Sequence, residues 1–167
     1  MKTCSFFGHR NTEETPELVN ELKKTVIYLI EQKDVTTFLF GSASKFDDLC
    51  LKIATEIKSD HPEIKLIYVR SSYPNINQCY KDYLLEYYDD TIMPKGVEKA
   101  GKASYVERNQ AMVNASDICV FYYDENYKPT LKKQSKRYFL NYSNKSGTML
   151  AYEYAKKKNK YIFNLFK

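Results

Sequence analysis

The sequence predicts an α/β protein, a three-layer α/β/α sandwich around a mainly parallel sheet of five to six strands. Short apolar runs alternate along the chain with longer segments whose apolar residues recur at helical spacing. The apolar runs are nearly continuous, which is typical of parallel strands covered on both faces. At 167 residues the chain has the length of one domain, so we expect a single domain over 1–167.

Six short apolar segments are predicted as strands. TCSFF, TTFLF and IKLIYV are rich in β-branched and aromatic residues, and DICVFYY gives the strongest signal. The segment that begins at Thr91 is short and gives the weakest one. The predicted strands cover residues 3–7, 36–40, 64–69, 91–93, 117–123 and 161–166.

The segments between these strands are predicted as helices. Thr15 supplies a favoured N-cap hydroxyl for the first helix, and Pro16 and Glu17 follow it in the first turn. The second helix carries an apolar stripe from Phe46 to Ile57, which predicts one buried face. The predicted helices cover residues 16–32, 46–57, 80–87, 104–115 and 147–158.

The composition excludes several classes of protein. Charged residues make up 28% of the chain, an ordinary level that excludes wholesale disorder. The four cysteines form no CxxC pair and the two histidines stand apart, so we expect no metal site and no cofactor. No apolar run is long enough for a membrane span, and we expect a cytoplasmic protein without a membrane partner.

The segment from 124 to 145 breaks the alternation and is predicted as an irregular, basic insertion. It holds six Lys and Arg residues against Asp124 and Glu125, together with several rings. The chain as a whole has a net charge of +5, which favours anionic partners only weakly.

Candidate site residues follow from the topology, because ligands of an open parallel sheet bind at the carboxyl ends of its strands. Residues just after the strands or at the start of the next helix are therefore expected to line one site. The predicted ligand-binding residues are Gly8, His9, Arg10, Gly41, Ser42, Ala43, Asp47, Arg70, Arg108, Asn109, Ser146, Gly147 and Thr148.

These residue types indicate a ligand with phosphate and ribose groups. Glycines admit a ligand close to the backbone, and hydroxyls with free N–H groups at a helix start bind phosphate. Arginines hold phosphate oxygens in a two-pronged fork, and an Asp after a strand accepts from ribose hydroxyls. The chain contains neither GxGxxG nor GxxxxGK[ST], which excludes the common dinucleotide and P-loop sites.

Four segments resemble a known family. CSFFGHR at residues 4–10 resembles the C-x-F-x-G-H-R opening of YpsA-like proteins of the SLOG superfamily, and GSASKFD at 41–47 resembles their G-G-A-x-G-x-D loop. YVERNQAMV at 105–113 resembles their Y-x-x-R-N-x-x-M-V helix. The SGT at 146–148, with Ala151, Tyr154 and Ala155, resembles their G-G-T-x-x-A-x-x-Y-A segment.

The resemblance implies a Rossmann-like fold and a pocket for nucleotides or their derivatives. Similar proteins include cytokinin-activating phosphoribohydrolases, nucleoside deoxyribosyltransferases, DprA proteins that bind single-stranded DNA, and sensor domains for cyclic ADP-ribose-type signals in bacterial defence. Because one fold serves all of these, the resemblance alone does not choose among them. It also implies a homo-oligomer, for which the tyrosine-rich stretch around Tyr87 and Tyr88 is a candidate interface.

The chain departs from the family pattern at two places. Gly-Gly becomes Gly41-Ser42 and the second loop glycine becomes Lys45. The glycosidic relatives carry a catalytic Glu three residues beyond the Thr, and that position is Ala151 here. An enzyme would therefore need Asp47, Glu107 or Glu153 instead.

Three functions remain as hypotheses. The favoured one is a non-catalytic binding protein for a nucleotide-derived molecule such as ADP-ribose, cyclic ADP-ribose, NAD or a nucleotide. The second is an N-glycosidase or phosphoribohydrolase-like enzyme that acts on nucleotides. The third, least favoured, is single-stranded DNA binding of the DprA type through the basic 124–145 segment.

Overall fold

The computed structural model describes residues 1–41, 44–71, 78–128 and 145–167. Strands and helices alternate over these residues, as predicted. The elements are β1 (Lys2–Gly8), α1 (Pro16–Lys33), β2 (Val35–Phe40), α2 (Lys45–Lys58), β3 (Lys65–Val69), α3 (Gln78–Leu85), β4 (Asp90–Ile92), α4 (Ser104–Ala115), β5 (Ile118–Tyr122), α5 (Gly147–Lys157) and β6 (Tyr161–Asn164).

The strands of the described residues form one sheet in the order β4-β3-β2-β1-β5-β6. Every neighbouring pair is parallel, which confirms the predicted α/β class with a parallel sheet. The strand order reverses between β1 and β5, because β2 lies on one side of β1 and β5 on the other. In such sheets the crevice at the carboxyl ends of these two strands is the usual place for a ligand.

Two apolar clusters cover the two faces of the sheet. The larger joins α1 and α2 to one face, where Phe6, Phe38 and Phe40 stack with ring centroids 5.2–5.7 Å apart. The smaller joins α4 and α5 to the other face around Phe7 and Phe121. Most of the excess of rings in the composition therefore stabilises the two layers of helices, because burying a ring removes a large apolar area from water.

Helix starts follow the predicted capping chemistry. The Thr15 hydroxyl accepts from the Leu18 N–H at 3.2 Å, and α1 begins at Pro16 as predicted. It ends at Asp34, which adopts the left-handed conformation at φ 58° and donates its N–H to the Leu29 carbonyl. This ending turns the chain directly into β2.

The last strand is shorter than predicted. It ends at Asn164 rather than at residue 166, because the Asn164 side chain takes over the pairing with Tyr123. Its Oδ1 accepts from the Tyr123 N–H at 3.0 Å and its Nδ2 donates to the Tyr123 carbonyl at 2.9 Å. Phe166, at the end of the predicted strand, packs edge-on against the Tyr122 ring.

Candidate functional site

Two predicted site residues, Asp47 and Arg10, form hydrogen bonds with backbone N–H groups between the end of β2 and the start of α2. Asp47, in the first turn of α2, accepts from the Gly41 N–H through Oδ2 at 3.1 Å. Ser44 caps the same helix by accepting from the Asp47 N–H at 3.1 Å. The Lys45 N–H in turn donates to the Arg10 carbonyl at 3.1 Å, which ties this loop to the one after β1.

Arg108 lies at the centre of the carboxyl edge and is 3% exposed. Its guanidinium donates to the Gly41 carbonyl and, at 3.5 Å, to the Val69 carbonyl. These oxygens lie at the ends of β2 and β3, so one side chain from α4 spans both strand ends. Close packing favours glycine at position 41, because a Cβ there would lie 2.7 Å from Met112 Sδ and 2.9 Å from Arg108 Cδ, and one of these side chains would have to shift.

Burial lowers the pKa of the Arg108 guanidinium, while the nearby Tyr68 and Asp47 raise it. An arginine keeps its charge over the physiological range in either case. The side chain is therefore a desolvated cation, and the Tyr105 ring lies 5.7 Å from its guanidinium carbon in a cation–π contact. A cation held in this way is suited to a bound anion, because its attraction for the anion is only weakly screened by water.

Asn109 lies between Arg108 and the start of α5. Its Oδ1 accepts from Arg108 Nε at 2.9 Å, and its Nδ2 lies 3.9 Å from the position that a Cβ on Gly147 would take. Ser146 caps α5 by accepting from the Met149 N–H at 3.1 Å. Thr148 is buried in the first turn. Arg108, Asn109 and the N-terminus of α5 thus form one polar cluster.

His9 forms a second centre, at the crevice between β1 and β5. Its Nε2 accepts from the Asp124 N–H at 3.0 Å, which places the proton of the neutral ring on Nδ1. The side chain is 4% exposed, and Nδ1 has no hydrogen-bond partner among the described residues. Its ring stacks on Tyr127 with centroids 3.8 Å apart and planes inclined by 18°. The crevice therefore contains a stacking platform beside a buried donor.

Burial lowers the pKa of His9, and this predicts a pH dependence of stability. The folded state keeps the ring neutral while the unfolded chain protonates it, so the unfolded chain binds more protons below its pKa of about 6.5. The contribution of His9 to the free energy of unfolding should fall as the pH drops from 7 to 5, by at most about 1.4 kcal/mol per pH unit.

Urea unfolding of the wild type and His9→Gln across this pH range measures the effect. The pH dependence of the free energy of unfolding should differ between the two proteins only below neutral pH. His61→Gln is the control, because His61 is half-buried beside Glu63, away from the carboxyl edge. A wild type and a His9→Gln variant that lose stability in parallel would contradict the prediction.

The remaining predicted residues have other environments or fall outside the described residues. The Arg10 side chain is exposed. Arg70 directly follows Val69, whose carbonyl accepts from Arg108. It is half-buried, its N–H donates to the Ile92 carbonyl at 2.8 Å, and its Nε has no hydrogen-bond partner among the described residues. Ser42 and Ala43 fall outside the described residues, as do residues 129–144 of the predicted insertion.

The carboxylates considered for catalysis occupy different environments. Glu107 is exposed on α4, and Glu153 is exposed on α5, where both of its oxygens bind Lys145 Nζ at 2.8–2.9 Å. Asp47 is buried and holds the Gly41 loop. Ala151, at the position of the relatives' catalytic Glu, is 1% exposed and packs in the apolar cluster of Phe7 and Phe121.

Two contacts of the site were not predicted from the sequence. Tyr105 was part of a motif but its contact with Arg108 was not predicted, although a spacing of three residues places both on one helix face. The stacking of Tyr127 on His9 could not be predicted from the sequence, because residues 9 and 127 are 118 positions apart (127 − 9).

A shallow cleft lies beside α2, and one of its lining residues, Thr12, donates its hydroxyl to the His9 carbonyl at 2.9 Å. It has a volume of about 430 Å³ and runs beside α2 between acidic and basic side chains. Its lining residues are Thr12, Glu13, Glu14, Lys45, Asp48, Leu49 and Lys52. It has neither the buried cation nor the aromatic platform of the carboxyl edge.

The described parts of the chain contain neither a candidate metal site nor a helix that could cross a membrane. No three His, Cys, Asp or Glu side chains there come close enough together to hold a metal ion. No helix in these parts has the length and apolar character needed to cross a bilayer.

The fold and its polar edge define a Rossmann-like α/β protein with a buried arginine where the strands end. A family model described as the YspA SLOG family matches residues 5–156, most of the chain, and the chain belongs to that family. The match confirms the resemblance found in the sequence. A search of curated proteins gave no match.

Proposed function

We propose that this protein binds a nucleotide-derived small molecule of the ADP-ribose, cyclic ADP-ribose, NAD or nucleotide type, and acts as a sensor or sequestering protein. The observation that carries the proposal is the buried Arg108 cation, which donates to Asn109 beside the N-terminus of α5. Arg108 and the N-terminus of α5 favour the same ligand group, because an arginine fork and the N–H groups of a helix start both bind phosphate oxygens.

The other end of the ligand would lie at His9. The Nδ1 donor needs an acceptor, and the rings of His9, Tyr123 and Tyr127 offer a surface on which a base can stack. In the absence of a ligand Tyr127 itself covers one face of His9, so binding a base there would displace its ring. A molecule with phosphates at one end and a base at the other matches both centres.

A binding role is favoured over a glycosidic enzyme by the position of the acids. The Glu of the glycosidic relatives is replaced by Ala151 inside an apolar cluster, where a carboxylate would be desolvated at a large free-energy cost. Glu107 and Glu153 are exposed, and Asp47 is engaged with the Gly41 backbone. A nucleophile or general base must reach the reacting atom, whereas Asp47 is committed to the Gly41 N–H and the two glutamates face solvent.

Calorimetric titration with ADP-ribose, cyclic ADP-ribose, NAD and AMP tests the proposal. We expect saturable 1:1 binding of at least one ligand, with the base recovered intact after prolonged incubation. Tyr127→Ala should raise the affinity by about tenfold or less, because it removes the ring that competes with the base for the face of His9. No heat for any ligand at millimolar concentration would refute binding, and release of free base would favour the enzyme.

A further inference from the structure

Within the described residues, β4 and β6 are the two terminal strands of the sheet, and these two ends carry opposite charge. Both terminal strands are short, with three residues in β4 and four in β6. Each is flanked by exposed aromatic side chains. We call the two surfaces the acidic edge, formed by α3 and β4, and the basic edge, formed by β6 and the end of α1.

The acidic edge carries a row of exposed tyrosines. Tyr80, Tyr83 and Tyr87 are 40%, 52% and 53% exposed, and their rings follow one another at 6.2 and 5.2 Å. Leu85 and Ile92 extend the apolar surface. Residues 78–92 hold four acids and one lysine, a net charge of −3, although Asp89 is paired with Lys58. Soluble proteins seldom leave so many large side chains together in water without a partner.

The basic edge has rings of its own and the opposite charge. Tyr161 is 55% exposed and packs against Phe163 at 5.1 Å, and Phe163 contacts Tyr28 edge-on. Lys33 Nζ lies over the Tyr28 and Tyr161 rings at 5.4 and 5.6 Å. Residues 156–167 hold five lysines and neither Asp nor Glu, and Lys167 is paired with Glu21. The end of α1 adds Lys33 against Glu31 and Asp34, so this edge remains basic.

We propose that copies of this chain associate head to tail, with the acidic edge of one copy against the basic edge of the next. The charges are complementary only in this pairing, because joining two acidic or two basic edges brings like charges together. Exposed tyrosines on both surfaces suit the centre of such an interface, where aromatic residues are enriched.

All strands of the sheet are parallel, so a second copy can place its β4 beside the first copy's β6 in the same direction. Because neighbouring strands of a sheet are rotated by about 20–25°, each copy is also rotated relative to the one before it. Because the two strands are short, side chains rather than a long backbone ladder would hold the contact. A head-to-tail interface leaves one edge open at each end, and it therefore builds rings or filaments rather than a closed dimer.

Sedimentation velocity at increasing protein concentration, in low and high salt, tests the proposal. The wild type should grow beyond a dimer in low salt and dissociate as salt screens the charges. Two variants each disable one edge: Tyr83→Ala with Glu86→Lys, and Lys33→Glu with Tyr161→Ala. Each should weaken self-association by about tenfold or more, because each removes an aromatic contact and reverses a charge.

Mixing the two variants provides the decisive outcome. Each retains the edge that the other lacks, so the mixture should form a 1:1 dimer and nothing larger, while each variant alone stays monomeric. Glu13→Lys is the control for the Glu86→Lys variant, since it makes the same charge change of two positive units at an exposed residue beside α2. A wild type that remains monomeric in low salt, self-association that survives both edge variants, or a mixture that fails to dimerise would overturn the proposal.

Discussion

Arg108→Met should abolish binding of the nucleotide-derived ligand and lower the free energy of unfolding by about 2–4 kcal/mol. The methionine fills much of the same volume but donates no hydrogen bond. The Gly41 and Val69 carbonyls, which now accept from the guanidinium, would be left without that donor inside the protein. Binding and stability fall together because one side chain serves both the strand ends and the proposed phosphate.

Two further variants separate the two effects of Arg108. Arg108→Lys keeps the charge but lacks the planar fork, so it should recover part of the stability and little of the affinity. Arg10→Met removes an exposed arginine from the neighbouring loop and should change stability by less than about 0.5 kcal/mol. Urea unfolding and calorimetry on the same samples measure both quantities. An Arg108→Met variant that binds as the wild type does would exclude Arg108 from the ligand site.

Gly8→Ala should destabilise the fold by about 3 kcal/mol or more, because it overpacks the contact between β1 and α2. A Cβ at position 8 would lie 2.4–2.5 Å from the Phe46 ring and Cβ atoms, far inside van der Waals contact. Phe46 is fully buried and its ring stacks on Tyr122 at 5.7 Å, so it has no space into which to move. The glycine before His9 is therefore required by packing between a strand and a helix.

Gly147→Ala is the matched control for Gly8→Ala. Its nearest neighbour would lie at 3.9 Å, an ordinary contact, and alanine is favourable within a helix. Its effect on unfolding should be small or slightly stabilising, by about 0.5 kcal/mol at most. Equal stabilities of the two variants in urea would show that Gly8 is not restrained by Phe46.

The order of elements could be predicted from the sequence because it depends on local signals. Apolar runs define the strands, and the Thr15 cap with Pro16 defines the start of α1. The end of β6 could not be predicted, because it depends on an Asn164 side chain that pairs with Tyr123 across the sheet. A periodicity argument does not detect a side chain that replaces backbone pairing.

The candidate site was predicted as a set of residue types but not as an arrangement. Arginine after a strand or at a helix start indicates phosphate, yet it does not distinguish the buried Arg108 from the exposed Arg10. Glycine likewise indicated close approach of a ligand at Gly8, where the structure shows the Phe46 ring. Burial and long-range stacking, such as that of Tyr127 on His9, arise only when distant segments pack together.

A crystal structure with the tightest ligand from the titration tests the central claim most directly. The account predicts that the phosphates lie within hydrogen-bonding distance of Arg108 and the first N–H groups of α5, with the base stacked at His9 in place of Tyr127. A ligand found instead in the cleft beside α2, between Lys45 and Lys52, would contradict it.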